Sequence, residues 1–228
     1  MRFVQLAVVT LMLAAAAAWP RAQESGWELV VLGVAQDAGA PQLNCQQDLC
    51  VDRRSGKRPV ERVSSLGLVH RPSGTAYLFD ATPDLPSQVH SLTGGRTPDG
   101  IFLTHGHMGH YTGLMYLGRE SISASKVPVY ATDRMWSFLS TNGPWSQLVT
   151  LGNIVHQRLQ PDVPVTLAHG LTVRALVVPH RDEFTDTVGF VIEGPRRKAL
   201  FIPDIDQWSK WSRDIRTLAD DVDYAFVD

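Results

Sequence analysis

The stretch Thr104-His105-Gly106-His107-Met108-Gly109-His110 decides the fold, and it directly follows an apolar, strand-like run, Gly100-Ile101-Phe102-Leu103. Three histidines within six residues usually indicate a metal site, because imidazole nitrogen is a common ligand of divalent transition metals. A solvated histidine-rich loop that binds nothing in particular is the alternative. The ordered spacing directly behind a buried strand favours the metal site.

Spacing within the stretch gives its histidines different positions. Residues two apart in an extended segment point the same way, so His105 and His107 can bind one cation. Gly106 and Gly109 allow the backbone to turn tightly around that cation. His110 begins the helix-like stretch that follows, and we predict that it faces a second cation position close to the first.

This spacing resembles the metallo-β-lactamase superfamily, whose signature is His-x-His-x-Asp-His at the end of a core strand. The resemblance implies an α/β fold, an αβ/βα sandwich of two sheets with helices outside. Gly109 departs from the signature, because the family has there an aspartate that ligates the second metal. We therefore expect one well-held metal ion. We expect Gly109→Asp to strengthen a second site, unless a positive φ at Gly109 makes the substitution destabilising.

The same resemblance directs attention to two later strand ends. His180 follows the predicted strand Leu171 to Val178, and Asp204 follows the predicted strand Lys198 to Ile202. The family pattern implies a first metal held by three imidazoles, which in this sequence are those of His105, His107 and His180. It also implies that the Asp204 carboxylate bridges to a second metal and that His110 binds this second metal.

Asp206 competes with Asp204 because both lie in Pro203-Asp204-Ile205-Asp206. Either aspartate could instead form an Asx turn or cap the stretch that begins at Gln207. We favour Asp204 as the ligand. It is also the predicted catalytic carboxylate, which orients the attacking water or passes a proton to the leaving group.

A closer resemblance begins at the first strand. The stretch Val31 to Gln42 is followed by Asn44-Cys45 and Cys50, and it is similar to the opening of the pyrroloquinoline-quinone (PQQ) biosynthesis protein B family. The stretch His110 to Leu114 is similar to that family as well. Fold does not carry function with it, so an exported relative can share the fold without the pathway.

Cys45 and Cys50 are the only cysteines of the chain. A loop this short can close as a disulfide in an oxidising compartment if the backbone turns back on itself. The resemblance to the PQQ family suggests a structural zinc instead, to which Asp48, Asp52 or His70 would have to contribute. Free thiols are the third possibility.

The N-terminus predicts export. Met1-Arg2 followed by the apolar run Phe3 to Ala18 is typical of a secretory signal peptide, whereas a retained anchor would need a longer run. We predict a signal peptide over 1–22, one metallo-β-lactamase-like domain over 23–228, and a periplasmic or secreted location without a stable membrane anchor. The 21 basic and 23 acidic residues offer no footprint for nucleic acid, so a small-molecule substrate is the expected partner.

Turn signals divide the rest of the chain into strands and a few helices. A hairpin is predicted around Pro72-Ser73-Gly74, and Thr132 or Asp133 is predicted to cap a helix. The last residues, Tyr224 to Asp228, are predicted to form a strand. The superfamily supplies a final histidine after such a strand, so we expect a C-terminally truncated fold in which only His110 and Asp204 face a second cation.

The predicted function is that of an exported metallo-hydrolase. Zinc held by three imidazoles keeps a coordination position open for water and lowers the pKa of that water to about 7. Ester, amide and phosphodiester substrates all suit this chemistry. Two other classes stay open. One is an iron-dependent oxygenase related to PQQ biosynthesis, since histidines with a carboxylate also hold iron(II), and the other is a catalytically weak binding module.

Overall fold

The computed structural model describes residues 26–228, and the predicted signal peptide over 1–22 lies outside the described residues. The described chain forms two β-sheets that pack face to face, with helices on both outer faces. This arrangement confirms the predicted αβ/βα sandwich. Its strands are β1 (Trp27–Gly33), β2 (Ser65–His70), β3 (Thr75–Phe79), β4 (Gly100–Phe102), β5 (Val127–Ala131), β6 (Ile154–Arg158), β7 (Pro164–Thr166), β8 (Thr172–Val177), β9 (Val188–Glu193), β10 (Lys198–Ile202) and β11 (Tyr224–Val227).

The helices are short. Within residues 26–228, none has both the length and the apolar character needed to cross a bilayer. The α-helices are α1 (Asp48–Arg54), α2 (Leu85–Thr93), α3 (Met108–Tyr111), α4 (Asp133–Thr141), α5 (Trp145–Thr150) and α6 (Ile215–Asp220). Turns of 3-10 helix cover Thr112–Leu117, Ala168–Gly170 and Trp208–Lys210.

The first sheet has the strand order β1-β2-β3-β4-β5-β6. The first three strands are antiparallel neighbours, whereas β3 to β6 run parallel. Parallel neighbours need crossover connections, and α2, α3 and the pair α4 and α5 supply them in turn. The second sheet, ordered β11-β10-β9-β8-β7, is antiparallel except for the parallel pair β10 and β11.

Phenylalanine side chains fill the space between the sheets. Successive residues of a strand face opposite sides, so Phe79 of β3 points to the second sheet while Leu78 faces the helices. Phe79 stacks on Phe102 with ring centroids 4.9 Å apart, and Phe190 of β9 meets Phe102 edge-on at 5.7 Å. Because this core is close-packed, it fixes the position of one sheet on the other, and with it the position of the loops at the strand ends.

Several local predictions are confirmed. The strands β2 and β3 pair as the predicted antiparallel hairpin, and Thr132 caps α4 by accepting a hydrogen bond from the backbone N–H of Met135. The predicted last strand is β11, at an edge of the second sheet. The strand β6 was not predicted, because its polar residues His156 to Arg158 lie on an edge strand and hide the period-two pattern.

A disulfide joins Cys45 to Cys50, with the two Cα atoms 5.9 Å apart. Cys50 lies in α1 and is buried, whereas the loop before it is largely exposed. Of the three possibilities for the cysteines, the structure therefore has the disulfide, and both the structural zinc and the free thiols are wrong. The bond closes a short loop within the long connection between β1 and β2.

We predict that Cys45→Ser combined with Cys50→Ser lowers the free energy of unfolding by about 2 kcal/mol, the loop-closure entropy of a bridge this short. Denaturant unfolding of both proteins measures the difference. A reducing agent should destabilise the wild type by the same amount and leave the double variant unchanged. Equal stability of wild type and variant would contradict the prediction.

Candidate metal centre

Loops from both sheets meet at one edge of the sandwich. The loops that follow β3 and β4 come from the first sheet, and those that follow β8 and β10 come from the second. Backbone hydrogen bonds join them: Val188 donates to the Thr104 carbonyl at 3.1 Å, and Asp206 donates to the Pro179 carbonyl at 2.9 Å. The polar side chains at these strand ends are thereby brought together.

His105 and His107 converge as predicted from their spacing. The Nε2 atom of His105 lies 2.9 Å from the Nδ1 atom of His107. The outer nitrogen of each ring has its own partner: His105 Nδ1 lies 3.0 Å from the Thr104 hydroxyl, and His107 Nε2 lies 2.9 Å from the Glu183 carboxylate. These outer partners orient both rings, so that a nitrogen of each faces the same space.

His180 and Asp204 complete this group from the second sheet. His180 Nε2 lies 3.1 Å from His107 Nδ1, and Asp204 Oδ2 lies 3.5 Å from His180 Nε2. Asp206, the competing aspartate, lies on the outer side, with its Oδ1 atom 2.8 Å from His180 Nδ1. The structure thus places Asp204 inside the group and Asp206 behind one of its imidazoles.

The donor set fits a transition-metal cation. Ligand atoms from His105, His107, His180 and Asp204 all lie within 4.8 Å of one another, and all but the His107 residue are buried. The Thr104 hydroxyl donates to Asp80, so it accepts from His105 Nδ1 and leaves the Nε2 lone pair of that ring facing inward. Three imidazole nitrogens and one carboxylate oxygen suit zinc or iron(II).

Burial controls the protonation of this group. Loss of solvent contact lowers the pKa of His105 to about 3, so its ring is neutral at pH 7, as a metal ligand must be. Burial raises the pKa of Asp204, but its contacts with the His105 and His110 rings and the positive charge of His110 lower it further, so the net shift is downward. The Asp204 carboxylate therefore stays ionised.

His110 lies beside this group and is surrounded by carboxylates. Its Nδ1 atom lies 2.8 Å from Asp80 Oδ2, and its Nε2 atom lies 2.9 Å from Asp37 Oδ1 and 3.4 Å from Asp204 Oδ2. Burial lowers the pKa of His110, but the negative charge of Asp80 and hydrogen bonds to the three carboxylates raise it well above its usual range. His110 carries a proton when no cation is bound.

Asp80 connects the two parts of the site, because it contacts His110 directly and His105 through Thr104. It follows β3 in a left-handed backbone conformation, with φ +67°, and its side chain is fully buried. Its carboxylate accepts hydrogen bonds from the backbone N–H of Thr104 at 2.8 Å and from the Thr104 hydroxyl at 3.0 Å. Burial raises the pKa of Asp80, and the charge of His110 partly offsets that rise.

Asp37 was missed by the sequence analysis. It lies in the loop after β1, and its carboxylate, with His110 and Asp204, forms a second group of potential ligand atoms within 4.8 Å of one another. The expectation that only His110 and Asp204 face this second position is therefore wrong. The available signal was a carboxylate shortly after an apolar strand, a position in the sequence like that of Asp204.

The expectation for Gly109 is also wrong. Gly109 lies in α3 and has no positive φ, yet a Cβ atom there would lie 2.5 Å from Asp37 Oδ1 and 2.6 Å from Asp37 Cα. Both distances are shorter than van der Waals contact. An aspartate at position 109 would not add a ligand to this structure, because Asp37 already fills the space.

Two exposed apolar side chains lie beside the histidine motif. Phe184 and Met108 are 59% and 53% exposed, and the Cβ atom of Phe184 lies close to Gly106, between the first two histidines. The Phe184 ring lies 5.6 Å from that of Phe138 on α4.

The model of the β-lactamase superfamily domain matches residues 75–228, and the chain therefore belongs to the metallo-β-lactamase superfamily. This match covers β3 to β11 and includes the histidines of the site. The fold expected from the resemblance is thereby confirmed.

Within the superfamily the chain is PqqB-like. It is 27% identical over 198 residues to coenzyme PQQ synthesis protein B of Methylobacterium nodulans, covering 77% of this chain and 64% of that protein. It is 30% identical over 165 residues to the protein of the same name from Rhodopseudomonas palustris, covering 66% of this chain and 52% of the relative. The chain thus spans about two thirds or less of the length of these relatives.

Solved structures agree on the fold. Zn²⁺-bound PqqB from Methylobacterium extorquens superposes with a TM-score of 0.74 at 21% identity, covering 88% of this chain and 72% of that one. A diphosphatase of the PhnP family superposes with a TM-score of 0.57 at 23% identity, covering 76% and 63%. At these identities the likeness establishes the fold alone.

We predict that Gly109→Ala destabilises the protein by about 1–3 kcal/mol, because the added methyl group overlaps Asp37 and must displace its loop. Gly194→Ala is the matched control, since its Cβ atom would meet nothing closer than a carbonyl oxygen at 3.5 Å. Thermal unfolding of the two variants compares them. A Gly109→Ala protein as stable as the control would contradict the close approach of Asp37.

Proposed function

We propose that the protein is a metal-dependent hydrolase that cleaves an ester, amide or phosphodiester bond in a small molecule. The proposal rests on one observation. Three imidazole nitrogens and the Asp204 carboxylate converge within 4.8 Å in a chain of the metallo-β-lactamase superfamily. We propose zinc as the metal, because a zinc ion on three imidazoles keeps a position free for water.

A zinc ion held at this site would supply Lewis acidity, which would lower the pKa of a water molecule to about 7 and polarise the bond under attack. The chain's own residues do the rest. Three imidazoles would hold the ion. Outer hydrogen-bond partners orient two of the rings, Thr104 behind His105 and Glu183 behind His107, and Asp206 Oδ1 lies 2.8 Å from the outer nitrogen of His180.

Asp204 is the residue that we propose handles the proton. Its carboxylate is ionised and lies 3.4 Å from both His105 Nε2 and His110 Nε2, so it faces the space that the histidines surround. An ionised carboxylate there accepts a hydrogen bond from water and orients it for attack. Once protonated, it can pass that proton to the leaving group.

We also propose that the protein is exported. The apolar run after Met1-Arg2 supports a signal peptide, and the bond between Cys45 and Cys50 supports an oxidising compartment, since disulfides persist there. The exposed Phe184 and Met108 beside the histidine motif support a small-molecule substrate with an apolar portion rather than a polyanion. The near-neutral charge balance agrees with that class of partner.

A second candidate is an iron(II)-dependent oxygenase related to PQQ biosynthesis. The similarity to proteins named coenzyme PQQ synthesis protein B favours it, and the same ligands suit iron(II). Metal analysis after anaerobic purification, followed by an oxygen-uptake assay, separates the two candidates. Bound iron with substrate-dependent oxygen consumption would replace the hydrolase by the oxygenase.

We predict that His107→Ala and His180→Ala each lose most of the metal of the first site, because each removes an inner imidazole. His90→Ala is the control, since His90 is an exposed histidine on α2. Elemental analysis after dialysis against a fixed free zinc concentration measures the loss. Unchanged metal content in both site variants would contradict the assignment.

Hydrolysis itself is tested on zinc-loaded protein with a carboxylic ester and a phosphodiester, each bearing an aromatic leaving group, and with a lactam whose ring opening is followed by absorbance. We expect turnover of at least one class, its loss on chelation and its recovery with zinc. Asp204→Asn should reduce kcat by about 100-fold or more, as loss of a general acid–base group does. Tight zinc binding without turnover of any class would favour the binding module.

A further inference from the structure

We propose that Asp37, His110 and Asp204 form a second divalent-cation site, in which the Asp37 carboxylate supplies the ligand that Gly109 lacks. The inference deepens the proposed function and rests on it in one respect: Asp204 is shared with the first site. The cation would be a first-row transition metal such as zinc, because one imidazole and two carboxylates suit that class.

The three ligand atoms face one another at short range. Asp37 Oδ1 lies 2.9 Å from His110 Nε2, Asp204 Oδ2 lies 3.4 Å from the same nitrogen, and the three groups lie within 4.8 Å. His110 is 1% exposed, so its inner nitrogen faces these carboxylates and not solvent. Two carboxylates and an imidazole that face one another at this range form an arrangement that a cation stabilises.

The orientation of His110 is fixed from behind. Its Nδ1 atom is engaged by Asp80, which is itself held by Thr104. Only Nε2 is left to face Asp37 and Asp204. This is the pattern of an outer carboxylate behind a ligating imidazole, which raises the basicity of the ligand and fixes its ring.

The position of Asp37 is also fixed, by the backbone on both sides of it. Ala35 donates to the Arg62 carbonyl at 2.9 Å, and Ala40 donates to the Glu61 carbonyl at 2.9 Å. The loop is therefore held against the segment before β2, and it brings the Asp37 Cα atom against α3. Only a residue without a side chain fits opposite it, and that residue is Gly109.

The position of Asp37 therefore requires a glycine at position 109. A side chain at position 109 and the carboxylate of Asp37 would occupy the same volume, since the added Cβ atom would lie 2.5 Å from Asp37 Oδ1. The glycine in the motif therefore does not mean that the second position has lost its carboxylate. The carboxylate comes from another loop.

The test counts zinc ions per chain by elemental analysis after equilibrium dialysis at a fixed free zinc concentration. We expect about two ions in the wild type and about one in Asp37→Asn, which keeps the side-chain volume but removes the charge. Asp48→Asn is the control, because Asp48 is exposed on α1, and it should retain both ions. Gly109→Ala should lose one ion without changing any ligand, because it displaces Asp37.

This experiment tests the two proposed metal sites separately. Loss of one ion in His180→Ala but none in Asp37→Asn or Gly109→Ala would overturn the second site and leave the first intact. Loss in Asp37→Asn but none in His180→Ala would support the second site and overturn the first. A second readout is the rise in melting temperature with added zinc, which should be smaller in Asp37→Asn than in the wild type and Asp48→Asn.

Discussion

The carboxylate of Asp80 is the contact on which the rest of the site depends. It is fully buried directly after β3. It accepts hydrogen bonds from the Thr104 backbone N–H and hydroxyl, and it also contacts the Nδ1 atom of His110. Through Thr104 it also determines which nitrogen of His105 faces inward. A buried carboxylate is costly unless its partners compensate it, so Asp80, Thr104 and the two histidines must be held together for the fold to tolerate the charge.

The sandwich supplies that support. Phe79 precedes Asp80 and Phe102 lies two residues before Thr104, and their rings stack in the core between the sheets. The same core receives Phe190 and Phe201 from the second sheet, whose neighbouring loops carry His180 and Asp204. Close packing of these rings therefore sets the distance between ligands that lie far apart in the sequence. A change in the core would reach the site through these strand ends.

Local sequence patterns predicted much of this arrangement. The histidine cluster behind a strand named His105, His107 and His110. The resemblance to the superfamily then directed attention to His180 and Asp204 at later strand ends, and the structure brings all five together. Their role as ligands stays a prediction. Asp37 and Glu183 were not named, because no position of the superfamily signature directs attention to either of them, and each meets its histidine across more than 70 residues of sequence. From the sequence alone, Gly109 suggests that the second site has lost a ligand. The structure shows that the loop carrying Asp37 packs against Gly109.

The most direct measurement of the central claim is X-ray diffraction from zinc-loaded crystals at wavelengths on both sides of the zinc absorption edge. Anomalous difference density locates zinc independently of any assumption about its ligands. Our account predicts a strong peak about 2.0–2.1 Å from His105 Nε2, His107 Nδ1 and His180 Nε2, with Asp204 beside it. A zinc peak at surface histidines such as His90, with none among these four residues, would contradict it.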